Sequence, residues 1–233
     1  IKKYPTDTNL FSIDSSKYLS GMKFLWDKKF YQNTYAPTLA YSLLNNDNTF
    51  SSQLITGSGP DELFYGMEKY NWDFFESLSS IPVEKALEKI DVAYNIKSYE
   101  LLLNSYGLDL LNEIQNNRRK MYKTISSFYN NIFEAQRLLA YMTVTAQHMH
   151  LFNNMAKLFN LKHEAPYLDE EFVKIAFSIP IDLLIKTQLN EKNVEIGKFH
   201  IKKYLEKFMD NKHIYSKKIG FHAPTTKFIY ESN

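Results

Sequence analysis

The sequence contains no cysteine, little glycine and no long hydrophobic run. The lack of cysteine excludes disulfide scaffolds, thiolate zinc sites, iron–sulfur clusters and a cysteine nucleophile from this chain, and it is compatible with the cytoplasmic location that we expect. No stretch of about 18 apolar residues occurs, so we expect no membrane-spanning segment. Residues 1–5, Ile-Lys-Lys-Tyr-Pro, are not followed by the apolar region that a signal peptide requires.

Charge and composition narrow the class of protein further. Lysine and arginine number 28 against 26 acidic residues, and a net charge of +2 gives no electrostatic footprint for nucleic acid. The hydrophobic fraction of 44% and the charged fraction of 23% are typical of a folded domain and exclude intrinsic disorder. Because aromatic residues reach 15% while glycines number only 7, we expect helices around an aromatic core in one domain over residues 1–233.

Hydrophobic periodicity predicts mostly helices, with one short strand ahead of a glycine-containing loop. The strongest helical pattern, at 132–159, has a predicted break near 152–154, and Asp169 is the expected N-cap of a helix that stops before Pro180. The predicted elements are helix 36–44, strand 52–56, successive helices over 70–160, loop 163–169, helix 169–178, helix 194–209 and an irregular segment at 217–224.

The glycine cluster is the most informative local feature, because three of the seven glycines lie within residues 57–66. A strand, a glycine turn and a helix in this order form an α/β arrangement that often binds nucleotides. Asp61 and Glu62 follow the turn, and acids at a helix start are also favoured for structural reasons alone. Two interpretations therefore stay open: a capped helix with a tight entry turn, or a hard-cation site in which carboxylates bind Mg²⁺.

Other candidate residues carry weaker signals. Most lysines of the C-terminal third are typical of a solvated helix face, whereas Lys218 stands beside a Gly-Phe pair in an irregular segment, where a lysine could meet an anionic ligand. His148 and His150 are two residues apart on a predicted helix and point to different faces. We therefore predict surface or core histidines there and no metal chelation.

Residues 55–66, Ile-Thr-Gly-Ser-Gly-Pro-Asp-Glu-Leu-Phe-Tyr-Gly, resemble the Ser-Gly-x-Gly-x-Asp-Glu-Leu-Phe-x-Gly loop of the asparagine synthetase C-terminal domain. Residues 165–169, Ala-Pro-Tyr-Leu-Asp, are similar to the Val-Pro-Phe-Leu-Asp stretch of that family. Residues 197–202 resemble its Thr-Lys-x-x-Leu-Arg helix, and residues 217–224 resemble its Arg-x-Lys-x-Gly-Phe-x-x-Pro tail. The order and spacing of these motifs make the resemblance specific over about residues 30–228. The same domain occurs in β-lactam synthetases and lasso-peptide cyclases.

The resemblance implies an α/β fold with a parallel sheet, of the adenine-nucleotide α-hydrolase-like type. It also implies ATP and Mg²⁺ as cofactors. A substrate carboxylate would attack the α-phosphorus of ATP to give an acyl-adenylate and pyrophosphate, and ammonia or another amine would then attack the acyl carbon and expel AMP. The partners expected are therefore a small carboxylate and an amine, with no nucleic acid and no membrane.

The resemblance also implies a role for each matching residue. Cofactor-binding roles fall on Gly57, Ser58, Gly59, Asp61, Lys198 and Lys202; metal-binding roles fall on Asp61 and Glu62, with Glu62 also supporting the loop; catalytic roles fall on Lys218 and Glu164. In this scheme Lys198 contacts pyrophosphate, and Lys218 neutralises the charge that develops at the α-phosphate and the acyl oxygen.

Departures from the family pattern concern several parts of the site. The family's Ser-Gly-Gly-x-Asp-Ser loop has no counterpart, so we expect an N-terminally incomplete domain whose missing strands and loop precede Ile1 or belong to another chain. Lys162 stands where the family has a glutamate, and Glu164 stands at an arginine position. Either Glu164 takes the role of that glutamate, or the amine-activating step is changed or lost. Lys202 replaces an arginine, and the two side chains are not equivalent at a bidentate phosphate contact.

Two functions from different classes follow. The first is an ATP-dependent amide-forming enzyme, making asparagine from aspartate or amidating a related carboxylate, with a separate glutaminase domain or free ammonia as the nitrogen source. The second is a non-catalytic, synthetase-like module that acts as a scaffold or binds a partner. The first interpretation rests on the ordered motifs, and the second rests on the missing loop and on Lys162.

Overall fold

A computed structural model of the chain describes residues 12–30, 36–45, 52–66, 76–90, 108–184, 186–188, 194–216 and 225–230. The helices are α1 (Ser15–Asp27), α2 (Ala36–Leu44), α3 (Pro60–Leu63), α4 (83–90), α5 (Leu108–Phe128), α6 (Ile132–Ala140), α7 (Ala146–Leu158), α8 (Glu170–Ser178), α9 (Ile181–Leu184), α10 (Phe199–Leu205), α11 (Asn211–Ile214) and α12 (Thr225–Tyr230). The strands are β1 (Gln53–Ile55), β2 (Lys162–Glu164), β3 (Lys186–Gln188) and β4 (Val194–Ile196). Residues 76–78 form one helical turn.

Strands β1 and β2 form a parallel pair, with Leu54 opposite His163. The predicted strand at 52–56 is confirmed as β1, and the chain is mostly helical with a small parallel sheet. The loop predicted over 163–169 is wrong at its first two residues, since they belong to β2. The parallel partner lies more than a hundred residues away in sequence, and local periodicity carries no signal for such a pairing.

Strands β3 and β4 form an antiparallel pair in which Lys186 lies opposite Ile196. The predicted helix over 194–209 is therefore wrong at its start, because Val194–Ile196 is strand and the helix α10 begins only at Phe199. Pairing with β3 satisfies the backbone hydrogen-bonding groups of this segment. That tertiary contact overrides the local helical pattern.

The chain divides into two compact units. Unit 1 comprises residues 1–56, 150–164 and 217–233, and unit 2 comprises residues 57–149 and 165–216. Among the described residues of unit 1, a core joins α1 and α2 to the second half of α7 through the buried side chains Leu25, Ala36, Ala40, Leu151 and Met155. Unit 2 holds two cores, one around α4, α5 and α6 and the other around α3, α8 and α9.

The long helical pattern at 132–159 is confirmed, but its irregularity lies elsewhere than predicted. Helix α7 runs without a break through 152–154, whereas Tyr141–Thr145 is a π-helix between α6 and α7. A π-helical turn contains an extra residue and redirects the side chains that follow it, and such turns are frequent at functional sites. Among the described residues, none of the helices is both long enough and apolar enough to span a membrane.

Helix α8 is fixed at both of its ends. At its start, Asp169 Oδ1 accepts from the backbone N–H groups of Glu171 (3.0 Å) and Phe172 (3.3 Å), which confirms the predicted N-cap. At its end, the buried Arg137 guanidinium donates to the carbonyl oxygens of Ala176 and Ile179. The N-cap and the Arg137 hydrogen bonds thus fix the position of α8, which directly follows the second motif at 165–169.

The N-cap gives a first prediction. Asp169→Ala removes the acceptor for two backbone donors and should cost about 1 kcal/mol in the free energy of unfolding, measured by urea denaturation. Asp169→Asn is the matched control, because its side-chain oxygen can still accept from the same donors and should keep most of that stability. Equal losses in both variants would contradict the capping role.

Candidate functional site

The glycine loop turns sharply between β1 and the short helix α3. Gly59 has a φ of 106°, in the region that favours glycine, and its carbonyl oxygen accepts from the N–H groups of Glu62 (3.1 Å) and Leu63 (2.9 Å). Pro60 opens α3, where its missing N–H costs nothing. The backbone of this turn therefore places Asp61 and Glu62 side by side in the first turn of α3.

The second motif packs against the first inside unit 2. A Cβ atom added at Gly59 would lie 2.5 Å from Leu168 Cδ2, so only glycine fits against this side chain. The ring of Phe64 lies 5.8 Å from that of Phe172, and Phe172 in turn contacts Tyr167 at 5.5 Å between ring centroids. Aromatic contacts and the close approach at Gly59 thus join the first motif segment to the second motif segment and the start of α8.

The third motif segment, residues 197–202, contacts the end of the glycine loop at residues 64–66. The N–H of Lys198 donates to the carbonyl oxygen of Phe64 at 2.7 Å. A Cβ atom at Gly197 would collide with the carbonyl oxygen of Tyr65, and one at Gly66 would collide with the Lys198 side chain. Residues 197–198 can therefore lie directly against residues 64–66, because the two glycines at this contact carry no side chain.

The result of this convergence is an ion pair between Lys198 Nζ and Asp61 Oδ1. The Lys198 side chain is 26% exposed and the Asp61 side chain is 31% exposed, although the Oδ1 atom that pairs with Lys198 is itself buried. Tyr65 and Lys198 both adopt positive φ angles, of 53° and 59°. For residues with a side chain this conformation is strained, and strain of this kind concentrates at functional sites.

Glu62 faces the interior and is only 3% exposed. Burial raises the pKa of its carboxyl group above the ordinary value, and the neighbouring charge of Asp61 raises it further. Thr145, at the end of the π-helix, is 4% exposed; its approach lowers the Glu62 pKa, although its hydroxyl completes no hydrogen bond of standard geometry. This environment favours the loop-supporting role for Glu62 over the role of a metal ligand.

Two more ionisable groups lie near the ion pair. The pKa of Lys202 is lowered by burial and by the charge of Lys198, and its ammonium group stands over the Tyr215 ring at 5.7 Å. The pKa of His148 is lowered by burial, against which the Asp61 carboxylate acts in the opposite direction. His148 was predicted as a surface or core histidine. The π-helix that immediately precedes its helix, α7, was not predicted, because the sequence contains no recognisable signal for it.

Glu164 lies in unit 1, at the last position of β2. Its carbonyl oxygen accepts from Thr56 N–H at 2.9 Å, and its carboxylate forms an ion pair with Lys162 at 2.7 Å. The Lys162 pKa is raised by this carboxylate. The carboxylate to which the resemblance gives a catalytic role is therefore engaged in an exposed ion pair with the neighbouring Lys162.

Unit 2 thus brings together Gly59, Asp61, Glu62, Lys198 and Lys202. Gly57 and Ser58 belong to the same loop, and a Cβ atom at Gly57 would meet nothing within 4 Å, which leaves space for a ligand beside the backbone. The catalytic role predicted for Lys218 lies outside the described residues.

One carboxylate among the described residues of this site fits Mg²⁺. Asp61 fits, because it is a partly exposed carboxylate that already holds a cationic group. Within the described ranges, no group of three or more acidic and histidine side chains is arranged to hold a metal ion by itself. A cation at Asp61 would therefore need oxygen ligands from a substrate phosphate and water, which is how Mg²⁺ commonly binds in phosphoryl-transfer sites.

The described residues define a class of protein: a mostly helical chain with a small parallel sheet, in which an acid–lysine pair lies at a glycine loop. Comparison with family models narrows this class: the model described as asparagine synthase matches residues 20–232. The chain therefore belongs to the asparagine synthase family. Comparison with curated proteins and with solved structures gives no significant match.

The two loop glycines provide a matched pair for a stability prediction. Gly59→Ala places a side chain in a left-handed conformation and against Leu168, so it should lower the free energy of unfolding by about 1–3 kcal/mol. Gly57→Ala, which meets open space, should change it by less than about 0.5 kcal/mol. Urea denaturation measures both values, and a larger loss at Gly57 would contradict this loop geometry.

Burial of Glu62 gives a prediction about pH. Because the pKa is raised in the folded state, the fold binds more protons than the unfolded chain above pH about 4.5, and stability falls as the pH rises through the folded-state pKa. Glu62→Gln removes this loss, so its melting temperature relative to wild type should increase from pH 4.5 to pH 8. A difference that does not vary with pH would show that Glu62 ionises normally.

Proposed function

We propose that this chain catalyses ATP-dependent amide formation through an acyl-adenylate, with asparagine synthesis from aspartate as the reaction. Membership in the asparagine synthase family supports ATP-dependent amide ligation in general. The observation that carries the proposal is the Asp61–Lys198 ion pair, which joins two separate motif segments, while a third segment packs against the same glycine loop through Leu168.

Three lysines would stabilise the negative charge of the triphosphate. Lys198 is partly exposed and held in place by its backbone, so its ammonium group can turn from Asp61 to a phosphate oxygen. Burial and the charge of Lys198 lower the pKa of Lys202, and an anion beside it would raise that pKa again. Lys218 would meet the α-phosphate and the acyl oxygen, as the resemblance implies. Catalysis of this type depends on positioning and electrostatic stabilisation.

Asp61 is the residue that would hold Mg²⁺, with Glu62 fixing the loop beneath it. When bound, the cation neutralises charge on the pyrophosphate that leaves. Asp61 itself does two things: it fixes Lys198 in the absence of nucleotide, and it offers a carboxylate to the cation that accompanies the nucleotide. The open space beside Gly57 is where a phosphate could approach the backbone closely.

A second candidate is a non-catalytic synthetase-like module. Lys162 favours it, because this residue replaces the family's glutamate and holds the only nearby carboxylate of β2, that of Glu164, in an ion pair. The two candidates differ in one measurable activity, the ATP–pyrophosphate exchange that accompanies reversible adenylation.

The test is ATP–pyrophosphate exchange by the intact protein with aspartate as the carboxylate. We expect exchange in the wild type and a loss of about a hundredfold or more in Asp61→Asn, Lys198→Met and Lys218→Ala, since each removes charge stabilisation of the transition state. Lys203→Met is the matched control, because that exposed lysine pairs with Glu206 at 2.8 Å and should exchange normally. A folded wild type without exchange, or normal exchange in Asp61→Asn and Lys218→Ala, would reject the enzyme and favour the module.

A further inference from the structure

Lys202 on α10 is a half-buried lysine that has no ion-pair partner within the described part of the chain. Its N–H donates to the carbonyl oxygen of Lys198 at 2.9 Å, so the two lysines lie one helical turn apart. The neighbouring Lys203 differs, because it pairs with Glu206 at 2.8 Å. A cation that is partly withdrawn from water beside a second cation is unfavourable until an anion approaches it. Lys202 is therefore placed to receive an anion from outside the helix.

The carboxylate of Glu206 lies four residues after Lys202, at the spacing at which a lysine and a glutamate commonly pair on a helix. It is engaged elsewhere. Glu206 Oε1 accepts from the Tyr215 hydroxyl at 2.7 Å, and Glu206 Oε2 accepts from Lys203 at 2.8 Å. The Lys202 ammonium group instead stands 5.7 Å from the centroid of the Tyr215 ring. Tyr215 thus binds the carboxylate that would neutralise Lys202 and offers the ammonium group an aromatic face instead.

A short chain reversal between α10 and α11 brings Tyr215 back to α10. Before the reversal, Met209 N–H donates to the carbonyl oxygen of Leu205 at 2.9 Å, and after it Tyr215 N–H donates to that of Asn211 at 2.9 Å. The side-chain bond between Tyr215 and Glu206 then joins the two helices across nine residues of sequence. All these residues belong to unit 2, as does the ion pair at the glycine loop. The position of the ring is therefore fixed locally.

The protonation states of Glu206 and Tyr215 keep their hydrogen bond in one direction. Hydrogen bonds from Lys203 and from Tyr215 lower the pKa of the Glu206 carboxyl group. The bond to Glu206 raises the pKa of Tyr215 to about 12. At neutral pH the carboxylate is therefore ionised and the phenol protonated, so the hydroxyl donates in a charge-assisted bond.

We propose that Tyr215, held by Glu206, is a positioning residue that keeps the Lys202 ammonium group available, beside Lys198, for a phosphate oxygen; this inference rests on the function proposed above. Tyr215 itself touches no ligand and acts through Lys202. A polyanion such as pyrophosphate can accept hydrogen bonds from both ammonium groups at once. A released Glu206 carboxylate would compete with that ligand for Lys202.

The test is a double-mutant cycle on pyrophosphate binding, measured by calorimetric titration of the intact protein in the presence of Mg²⁺. Tyr215→Phe keeps the ring but lacks the hydroxyl, so the released Glu206 carboxylate should pair with Lys202 and weaken binding about threefold. Adding Glu206→Gln removes that carboxylate and should restore binding. In the presence of the Tyr215 hydroxyl, Glu206→Gln should strengthen binding by less than it does in Tyr215→Phe, because the carboxylate is already engaged.

A second cycle tests whether Tyr215 acts through Lys202. Lys202→Met should weaken pyrophosphate binding by about tenfold, and Tyr215→Phe should add no further loss in that variant. In ATP–pyrophosphate exchange, Tyr215→Phe should raise the pyrophosphate concentration at half-maximal rate about threefold and leave the maximal rate within about twofold of wild type. A general loss of structure would not give this split.

Tyr204→Phe is the matched control. The Lys207 ammonium group stands over the Tyr204 ring at 5.1 Å, and this tyrosine is 59% exposed. The substitution removes a hydroxyl from a second tyrosine that contacts a lysine, but this lysine has no proposed contact with phosphate. Pyrophosphate binding should therefore equal that of wild type.

Three results would overturn the inference. They are wild-type binding in Tyr215→Phe, a loss in Tyr215→Phe that persists in full beside Lys202→Met, and an equal effect of Glu206→Gln with and without the Tyr215 hydroxyl. A wild type that neither binds pyrophosphate nor catalyses exchange rejects the proposed function and this inference with it. A wild type that does both but gives any of the three results rejects the role of Tyr215 alone.

Discussion

The Asp61–Lys198 ion pair is the interaction on which the candidate site depends. Its partners lie more than a hundred residues apart, and they meet because Gly66 and Gly197 leave room for the contact. A partly exposed pair contributes at most about 1 kcal/mol to stability, while the left-handed conformation of Lys198 costs about as much. Stability therefore does not account for this arrangement. The arrangement would instead serve the proposed binding role, in which a cationic group beside a carboxylate meets a nucleotide and its metal.

The adjacent carboxylates of Asp61 and Glu62 lie in different environments. Asp61 reaches solvent, whereas Glu62 is enclosed beside the π-helix residue Thr145 and has a raised pKa. Adjacent carboxylates in unlike environments can serve unlike purposes, and in the proposed function Asp61 would be the binding group while Glu62 supports the loop. A comparable division occurs on β2, where Glu164 is neutralised by Lys162 while His163 is neutral and hydrogen-bonded on the other face. Environment, more than residue type, assigns these roles.

Much of the local structure could be predicted from the sequence. Helix α2, the strand before the glycine loop and the Asp169 cap follow from short-range patterns and are confirmed. The start of the predicted 194–209 helix failed because β3 and β4 pair, and long-range pairing leaves no local trace. The motif segments 165–169 and 197–202 contact the glycine loop in unit 2. The π-helix at Tyr141–Thr145 was missed, because one extra residue in a helical turn hardly changes the hydrophobic periodicity of the segment.

The most direct test of the central claim is a double-mutant cycle on ligand binding. Calorimetric titration of the intact protein with pyrophosphate in the presence of Mg²⁺ would compare wild type, Asp61→Asn, Lys198→Met and the double variant. Because both side chains serve one ligand, each single change should weaken binding by about tenfold or more, and the double change by less than the product of the two. Binding that is unaltered in both single variants would contradict the account.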